Sequence, residues 1–206
     1  MSTSRTPIAV LVSGSGSNLQ ALLETGSRPG SHFEIAVAIS DRPGVRALAR
    51  AEAARVPAEV VDWSAHDDRA AFTAAVCDVA EKFAAEVLVL AGFMRVLAPE
   101  AMARFPERIV NTHPALLPAF PGAHAVRDAL AHGVAVTGVT IHFVDELVDH
   151  GPIIWQEAIA IGPAEDEASV QARIQEIEHR VYPEVVDALC AGDLAVVGRR
   201  VTWSRR

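Results

Sequence analysis

Cysteine is scarce in this chain, and no stretch of it stays apolar for long. Cys77 and Cys190 stand 113 positions apart in segments of helical composition. They read as small core residues of a cytosolic protein rather than as a disulfide framework. No apolar run approaches the ~18 residues of a membrane-spanning helix. The opening residues, 1–7, are polar and lack the charged-then-apolar pattern of an export signal. A cytoplasmic location is therefore expected, with no membrane partner. Positive charge is also short: 18 Lys and Arg against 26 Asp and Glu leave a net charge of −8. An acidic chain is repelled by nucleic-acid phosphates at long range. Nucleic acid is not an expected partner, although a small anion held by local backbone donors is compatible. The one basic cluster, Arg199, Arg200, Arg205 and Arg206, reads as a solvated terminus. Repeats and low-complexity linkers are absent.

Half of the 206 residues are apolar, enough for one domain with a large core. In the first half, short apolar runs at 8–12, 35–39, 59–61 and 87–90 alternate with helical segments at 18–24, 45–54 and 67–83. Phe72, Val76, Val79 and Phe83 form the apolar stripe of the third helix. The continuous run at 87–90 has the composition of a strand buried on both faces. This alternation predicts βαβ units and a parallel sheet. After Gly122 the pattern changes. A short helix is predicted over 124–132, then two β-rich runs at 134–144 and 152–161 that would pair antiparallel. A helix over 164–189 follows, expected to kink or restart at Pro183. Segments 194–197 and 201–203 predict a terminal hairpin. The expected class is α/β in a single domain spanning 1–206, parallel in its N-terminal half and mixed, with antiparallel strands, in its C-terminal half.

Two local patterns carry chemistry. Asn111-Thr112-His113-Pro114 follows the apolar segment 108–110, and in an extended segment residues i and i+2 share a face. Asn111 and His113 then aim at one spot beyond a strand end. Asn offers neutral donors and His moves a proton near neutral pH. That pairing suits a reaction in which an oxyanion forms and a proton leaves. A strand-capping Asn and a His packed under the following loop would give the same residues. The second pattern, Ser13-Gly14-Ser15-Gly16-Ser17-Asn18, joins the first strand to a helix. Its glycines let the backbone turn sharply and approach a ligand. Free amides and the helix dipole there attract an anion, and Ser15, Ser17 and Asn18 add donors. A plain capped βα turn has the same composition. No Gly-Lys-Ser/Thr follows, and Leu19 stands where a dinucleotide fingerprint has its third glycine. A single phosphate monoester fits better than a nucleotide di- or triphosphate. His124, His132 and His142 have no metal-pair spacing, so no metal is expected.

Further along lie Leu90-Ala91-Gly92-Phe93-Met94-Arg95-Val96-Leu97, then His142-Phe143-Val144. After these come Asp145-Glu146-Leu147-Val148-Asp149-His150-Gly151-Pro152, and Glu178-His179 ahead of Tyr182-Pro183. In this order and spacing, the motifs resemble the glycinamide ribonucleotide formyltransferases, folate-dependent enzymes of purine synthesis. The resemblance implies a Rossmann-like formyltransferase fold. It implies direct transfer of a formyl group from the co-substrate N10-formyltetrahydrofolate to the amine of glycinamide ribonucleotide, through a tetrahedral oxyanion. Asn111, His113 and Asp149 would be the catalytic trio. Asn111 and a protonated His113 would donate to the oxyanion. Asp149 would favour that imidazolium and help carry the proton from the attacking amine to the leaving nitrogen. Taken alone, Asp149 also reads as a turn-initiating residue.

By the same resemblance Gly14, Ser15, Gly16, Ser17 and Asn18 would hold the substrate phosphate, with Glu178 and Pro114 on the rest of that substrate. Without it, Glu178 is one acid on a solvated helix face. Phe93, Met94, Arg95, Val96 and Leu97, with Asn111 and Asp149, would bind the folate, and Arg69 would approach its glutamate tail. Read alone, Phe93 and Met94 are core residues. Residues 1–110 become a phosphate-binding βα half and 111–206 a catalytic and folate-binding half. His150 replaces a frequent Gly, which puts that turn's backbone angles in question. Ala115 and Ala119 replace more polar residues. A methionyl-tRNA formyltransferase would share the trio but add a tRNA-binding domain and positive charge. A formyltetrahydrofolate hydrolase would share it too, and a non-catalytic sugar-phosphate or folate binder would not need it. The expected partners are two small molecules; a homodimer stays open.

Overall fold

A computed structural model describes residues 5–204. Arg205 and Arg206 of the basic cluster lie outside the described residues. The first half runs β1 (Thr6–Val12), α1 (Ser17–Gly26), β2 (Phe33–Ser40), α2 (Arg46–Ala53), β3 (Ala58–Val60), α3 (Arg69–Lys82) and β4 (Val87–Leu90). The chain continues through α4 (Pro99–Arg104), β5 (Ile109–His113), α5 (Ala125–His132), β6 (Val136–Phe143) and β7 (Ile153–Ala160). It closes with α6 (Glu167–Cys190), β8 (Leu194–Val197) and β9 (Arg200–Trp203). The strands form one sheet in the order β3-β2-β1-β4-β5-β6-β7-β9-β8. Strands β1 to β5 pair in parallel, β5 with β6 and β6 with β7 antiparallel, and β8 with β9 as an antiparallel hairpin. The mixed α/β architecture is the expected one.

Alternation along each strand sets up two cores. In β1, Ile8, Val10 and Val12 face one way, with Leu19 and Leu22 of α1 and Val170, Ile174 and Val181 of α6. Ala9 and Leu11 face the other way, with Phe72, Val76 and Cys77 of α3. Strand β4 is divided likewise, Val87 and Val89 against Leu88 and Leu90, and all four are buried. That is why these strands read as continuous apolar runs. Both cysteines are free thiols, and burial raises them to about 11 for Cys77 and about 12 for Cys190.

Strand order decides where a ligand can enter. From β1 the chain builds outward to β2 and β3 on one side, then crosses to β4 and β5 on the other. A crevice opens beyond the carboxyl ends of the strands where the order reverses. The loops after β1 and β4 both end there, and they carry the glycine-rich and Phe93–Leu97 segments.

Three expectations are corrected. Helix α4 was not anticipated: it has only six residues, opened by Pro99, and is too short to show a period. Helix α6 runs unbroken through Pro183 for 24 residues. Val181, Tyr182, Val185 and Val186 are fully buried around the proline, and this packing outweighs the one lost backbone bond. The Tyr182 hydroxyl, shared at 3.0 Å between the carbonyls of Leu90 and Val110, ties α6 to the ends of β4 and β5. Finally, β5 extends to His113, so Asn111 and His113 sit within the last strand residues rather than beyond them.

Candidate active site

Strand β5 presents Asn111 and His113 on one face at the carboxyl end of the sheet. Cross-strand pairing sets His142 of β6 opposite Asn111. The His142 Nδ1 lies 2.8 Å from the Phe143 carbonyl, which can only accept, so Nδ1 carries the hydrogen. Its Nε2 is then left to accept from Asn111 Nδ2 at 3.3 Å. This contact orients the Asn111 amide and leaves its second N–H free of His142.

Asp149 arrives from the turn after β6. Its Oδ2 is 3.3 Å from His113 Nδ1 and accepts the Gly122 N–H at 2.7 Å. Its backbone is left-handed, with φ 51°, a conformation Asp tolerates better than most residues. The strain therefore falls on Asp149 and not on His150, where the family's glycine had suggested it. Gly151 is required for a different reason: a Cβ there would collide with the Phe143 carbonyl oxygen. Burial works to raise the Asp149 carboxyl, but His142, the Gly122 N–H and His113 together outweigh it and leave the group below its ordinary value.

His113 is 4 % exposed, and its Nε2 lies 2.8 Å from the Phe120 carbonyl. Burial lowers its pKa, against the opposing pull of the Asp149 charge and the Phe120 carbonyl. Asp149 favours the imidazolium as expected, and burial opposes it. Nε2 carries a hydrogen toward the Phe120 carbonyl, and Nδ1 faces the Asp149 carboxyl. The loop that supplies Phe120 is pinned from below. Thr140 donates to the Ala115 carbonyl and accepts the Leu117 N–H, and Gln156 donates to the Leu117 carbonyl.

Two clefts adjoin here, and the trio lines the first of them. One, of about 210 Å³, has Phe93, Val96 and Leu97 on one wall and Val144, Leu147 and Val148 on the other, with Asn111, His113 and Asp149 at its polar end. The second, of about 320 Å³, is lined by Ser13 to Asn18, Gln171, Gln175 and Glu178. Gly92, Met94, Thr112, Pro114 and Ala123 border both. A larger hollow lies between α1 and α6 and shares no residue with the apolar cleft.

In the second cleft Gly16 caps α1 with φ 70°, and no side chain caps the helix. The first-turn amides are left available, the condition an anion needs. Glu178 corrects the reading of a solvated acid. It is 5 % exposed and accepts from Asn18 Nδ2 at 3.1 Å and Thr112 Oγ1 at 2.9 Å. Burial raises its pKa in spite of both donors. In the apolar cleft Phe93 and Leu97 are buried, with Phe93 stacked 6.2 Å from Phe72, while Met94 and Val96 are exposed at the rim. Arg95 is turned aside to Asp41. Arg69 stands exposed at the start of α3 and borders neither cleft. Among the described residues no group of His, Cys, Asp and Glu is placed to hold a metal. Thr112, Gln171, Gln175 and the orienting role of His142 were missed, because only register and helix docking bring them in.

The α/β sheet thus carries two adjoining clefts, with the Asn–His–Asp group lining the apolar one. Residues 6–186 match the formyl transferase family, and the chain belongs to that family. It is 41% identical over 199 residues to the phosphoribosylglycinamide formyltransferase of Mycobacterium tuberculosis, covering 97% of this chain and 92% of that one. It superposes on glycinamide ribonucleotide transformylase 1 from Symbiobacterium toebii with TM-score 0.94 and 41% identity, covering 98% of this chain and 99% of that one. It is also 40% identical to part of the trifunctional purine biosynthetic protein adenosine-3 of Gallus gallus; the match covers 94% of this chain and 19% of that longer protein.

Proposed function

We propose that the protein transfers the formyl group of N10-formyltetrahydrofolate to the primary amine of glycinamide ribonucleotide in purine synthesis. The observation that carries this reading is a pair of unlike clefts that share the border Gly92, Met94, Thr112, Pro114 and Ala123, with Asn111, His113 and Asp149 lining the apolar one. An apolar slot that also carries Asn111, His113 and Asp149 suits the folate. A cleft with uncapped helix amides and a buried acid suits a sugar phosphate. Both substrates are small molecules, and neither nucleic acid nor a membrane is needed. No helix among the described residues is long and apolar enough to cross a membrane, and the reaction is assigned to the cytoplasm.

In this reading the amine attacks the formyl carbon and negative charge develops on its oxygen. Asn111 donates its free N–H to that oxygen, held in place by His142. Both ring nitrogens of His113 already have neighbours, so its Nε2–H reaches the oxygen only when the Phe120 carbonyl gives way. The His113–Asp149 pair is the proton acceptor. A proton held between Nδ1 and Oδ2 makes a charge-assisted hydrogen bond. The proton then leaves toward the departing nitrogen.

The deciding assay supplies the purified protein with formyl-folate, with and without glycinamide ribonucleotide. Tetrahydrofolate and formylated product that appear only with the amine are expected. Formate released at the same rate without it would make the protein a hydrolase, and no turnover in either case would make it a binder.

A further inference from the structure

Asp41 follows β2, and its side chain is fully buried. Arg95 Nε donates to its Oδ2 at 2.7 Å, and Arg42 donates from Nε and Nη2 at 3.3 and 3.1 Å. The nearby Ser13 hydroxyl also helps hold the Asp41 carboxyl below its ordinary value. Ser13 Oγ in turn accepts the Met94 N–H at 2.8 Å. Asp41 thus reaches the apolar cleft's wall directly at the Arg95 side chain, and Ser13 beside it holds the Met94 backbone. The Arg95 guanidinium also lies over the Trp63 ring, 4.9 Å from its centroid. A guanidinium committed to a buried carboxylate and an aromatic face works as a tether.

We infer that Asp41 is a positioning residue for the formyl donor, fixing residues 93–97 as the cleft wall without touching either substrate. The inference rests on reading that cleft as the folate site. Between β4 and α4 the wall has no helix or strand of its own, and Met94 and Val96 are exposed. Its order comes from side-chain anchors. With Asp41 removed, the donor must order the wall as it binds, a cost paid in affinity rather than in the chemical step. Beyond Ser13, the phosphate loop has anchors of its own. Ala47 N donates to the Gly14 carbonyl at 3.1 Å and Arg50 Nε to the Ser15 carbonyl at 2.9 Å. The two substrates should therefore respond differently.

The test is steady-state kinetics of Asp41→Asn with each substrate varied. Asn keeps the shape but cannot pair with two guanidinium groups. The expected result is a KM for formyl-folate raised about tenfold, with kcat and the KM for glycinamide ribonucleotide within about twofold. Asp41→Glu should recover part of the loss. Arg95→Gln should raise the same KM, and the double variant should be no worse than the worse single one, as coupled residues require. Equal rises in both KM values, unchanged donor KM in folded Asp41→Asn, or additive effects of the two substitutions would overturn the inference. If Asp41→Asn does not fold, Arg95→Gln decides alone, and an unchanged donor KM overturns it. A parent protein that transfers no formyl group sinks the proposed function. A parent that transfers it, with a variant that behaves the same, sinks only the role of Asp41.

Discussion

His113 and Asp149 face each other with Nδ1 and Oδ2 3.3 Å apart, burial lowering the imidazole against the pull of the Asp149 charge while the Asp149 carboxyl lies below its ordinary value. The pair is placed to hold a proton between Nδ1 and Oδ2. Substrate amines attack the formyl carbon as free bases and must shed a proton afterwards, which such a pair can relay.

Asp149→Asn tests that arrangement. Asn tolerates φ 51° as well as Asp does and still offers an oxygen to the Gly122 N–H, so the turn should survive. Only the charge is lost. Turnover should fall on the order of a hundredfold or more, with unchanged thermal unfolding. Near-normal turnover would remove Asp149 from the chemistry.

Asn111→Asp would place a carboxylate where the oxyanion develops, with no N–H to donate. Loss of one such donor typically costs about a hundred- to a thousandfold in kcat. A kcat within tenfold of the parent would mean that the oxygen is stabilised elsewhere.

Acid stability follows from the same burial. The His113 pKa is lowered in the folded state, so the unfolded chain takes up that proton first. The stabilising contribution is complete above the ordinary imidazole value and is lost as pH falls through and below it. His179 is lowered by burial too and acts in the same sense. Urea unfolding followed from about pH 8 to about pH 5 should show declining stability, with a shallower decline in His113→Gln. An equal slope in both proteins would contradict the assignment.

The first half of the sheet was legible because each strand ends at a turn signal and each helix carries an apolar stripe. Asn111 and His113 were legible as a pair because the strand period is local. The partners were not. His142 meets Asn111 only through the β5–β6 register. Glu178, flanked by Gln175, Glu176, His179 and Arg180, has the neighbours of a solvated residue, and only contacts with Asn18 and Thr112 bury it. The Phe120 carbonyl and Gly122 N–H act through the backbone, which no side-chain pattern announces.

The phosphate loop offers a contrast between two glycines. A Cβ on Gly16 would stand 2.7 Å from the Ala47 Cβ, on a backbone with φ +70°. Gly16→Ala should cost roughly 1–3 kcal/mol of stability by strain alone. Gly14 has nothing within 4 Å of its Cβ position and borders the cleft. Gly14→Ala should therefore fold normally, yet raise the KM for glycinamide ribonucleotide and weaken competition by phosphate analogues. Unchanged binding in Gly14→Ala would move the phosphate elsewhere.

Glu178 makes the sharpest trade between stability and binding. Its pKa is raised by burial, so its favourable contribution to folding is present below the ordinary carboxyl value and lost as pH rises through the folded one. Above that point the fold carries a desolvated charge. Glu178→Gln removes the charge and keeps the shape. Asn18 Oδ1 is buried without a hydrogen-bond partner, so a flipped Asn18 amide can offer it to the new Gln NH₂. The variant should melt above the parent at about pH 8, with the gap closing toward about pH 4, while its KM for glycinamide ribonucleotide rises. A variant less stable than the parent at both pH values would show that the two hydrogen bonds outweigh the cost of burying the charge.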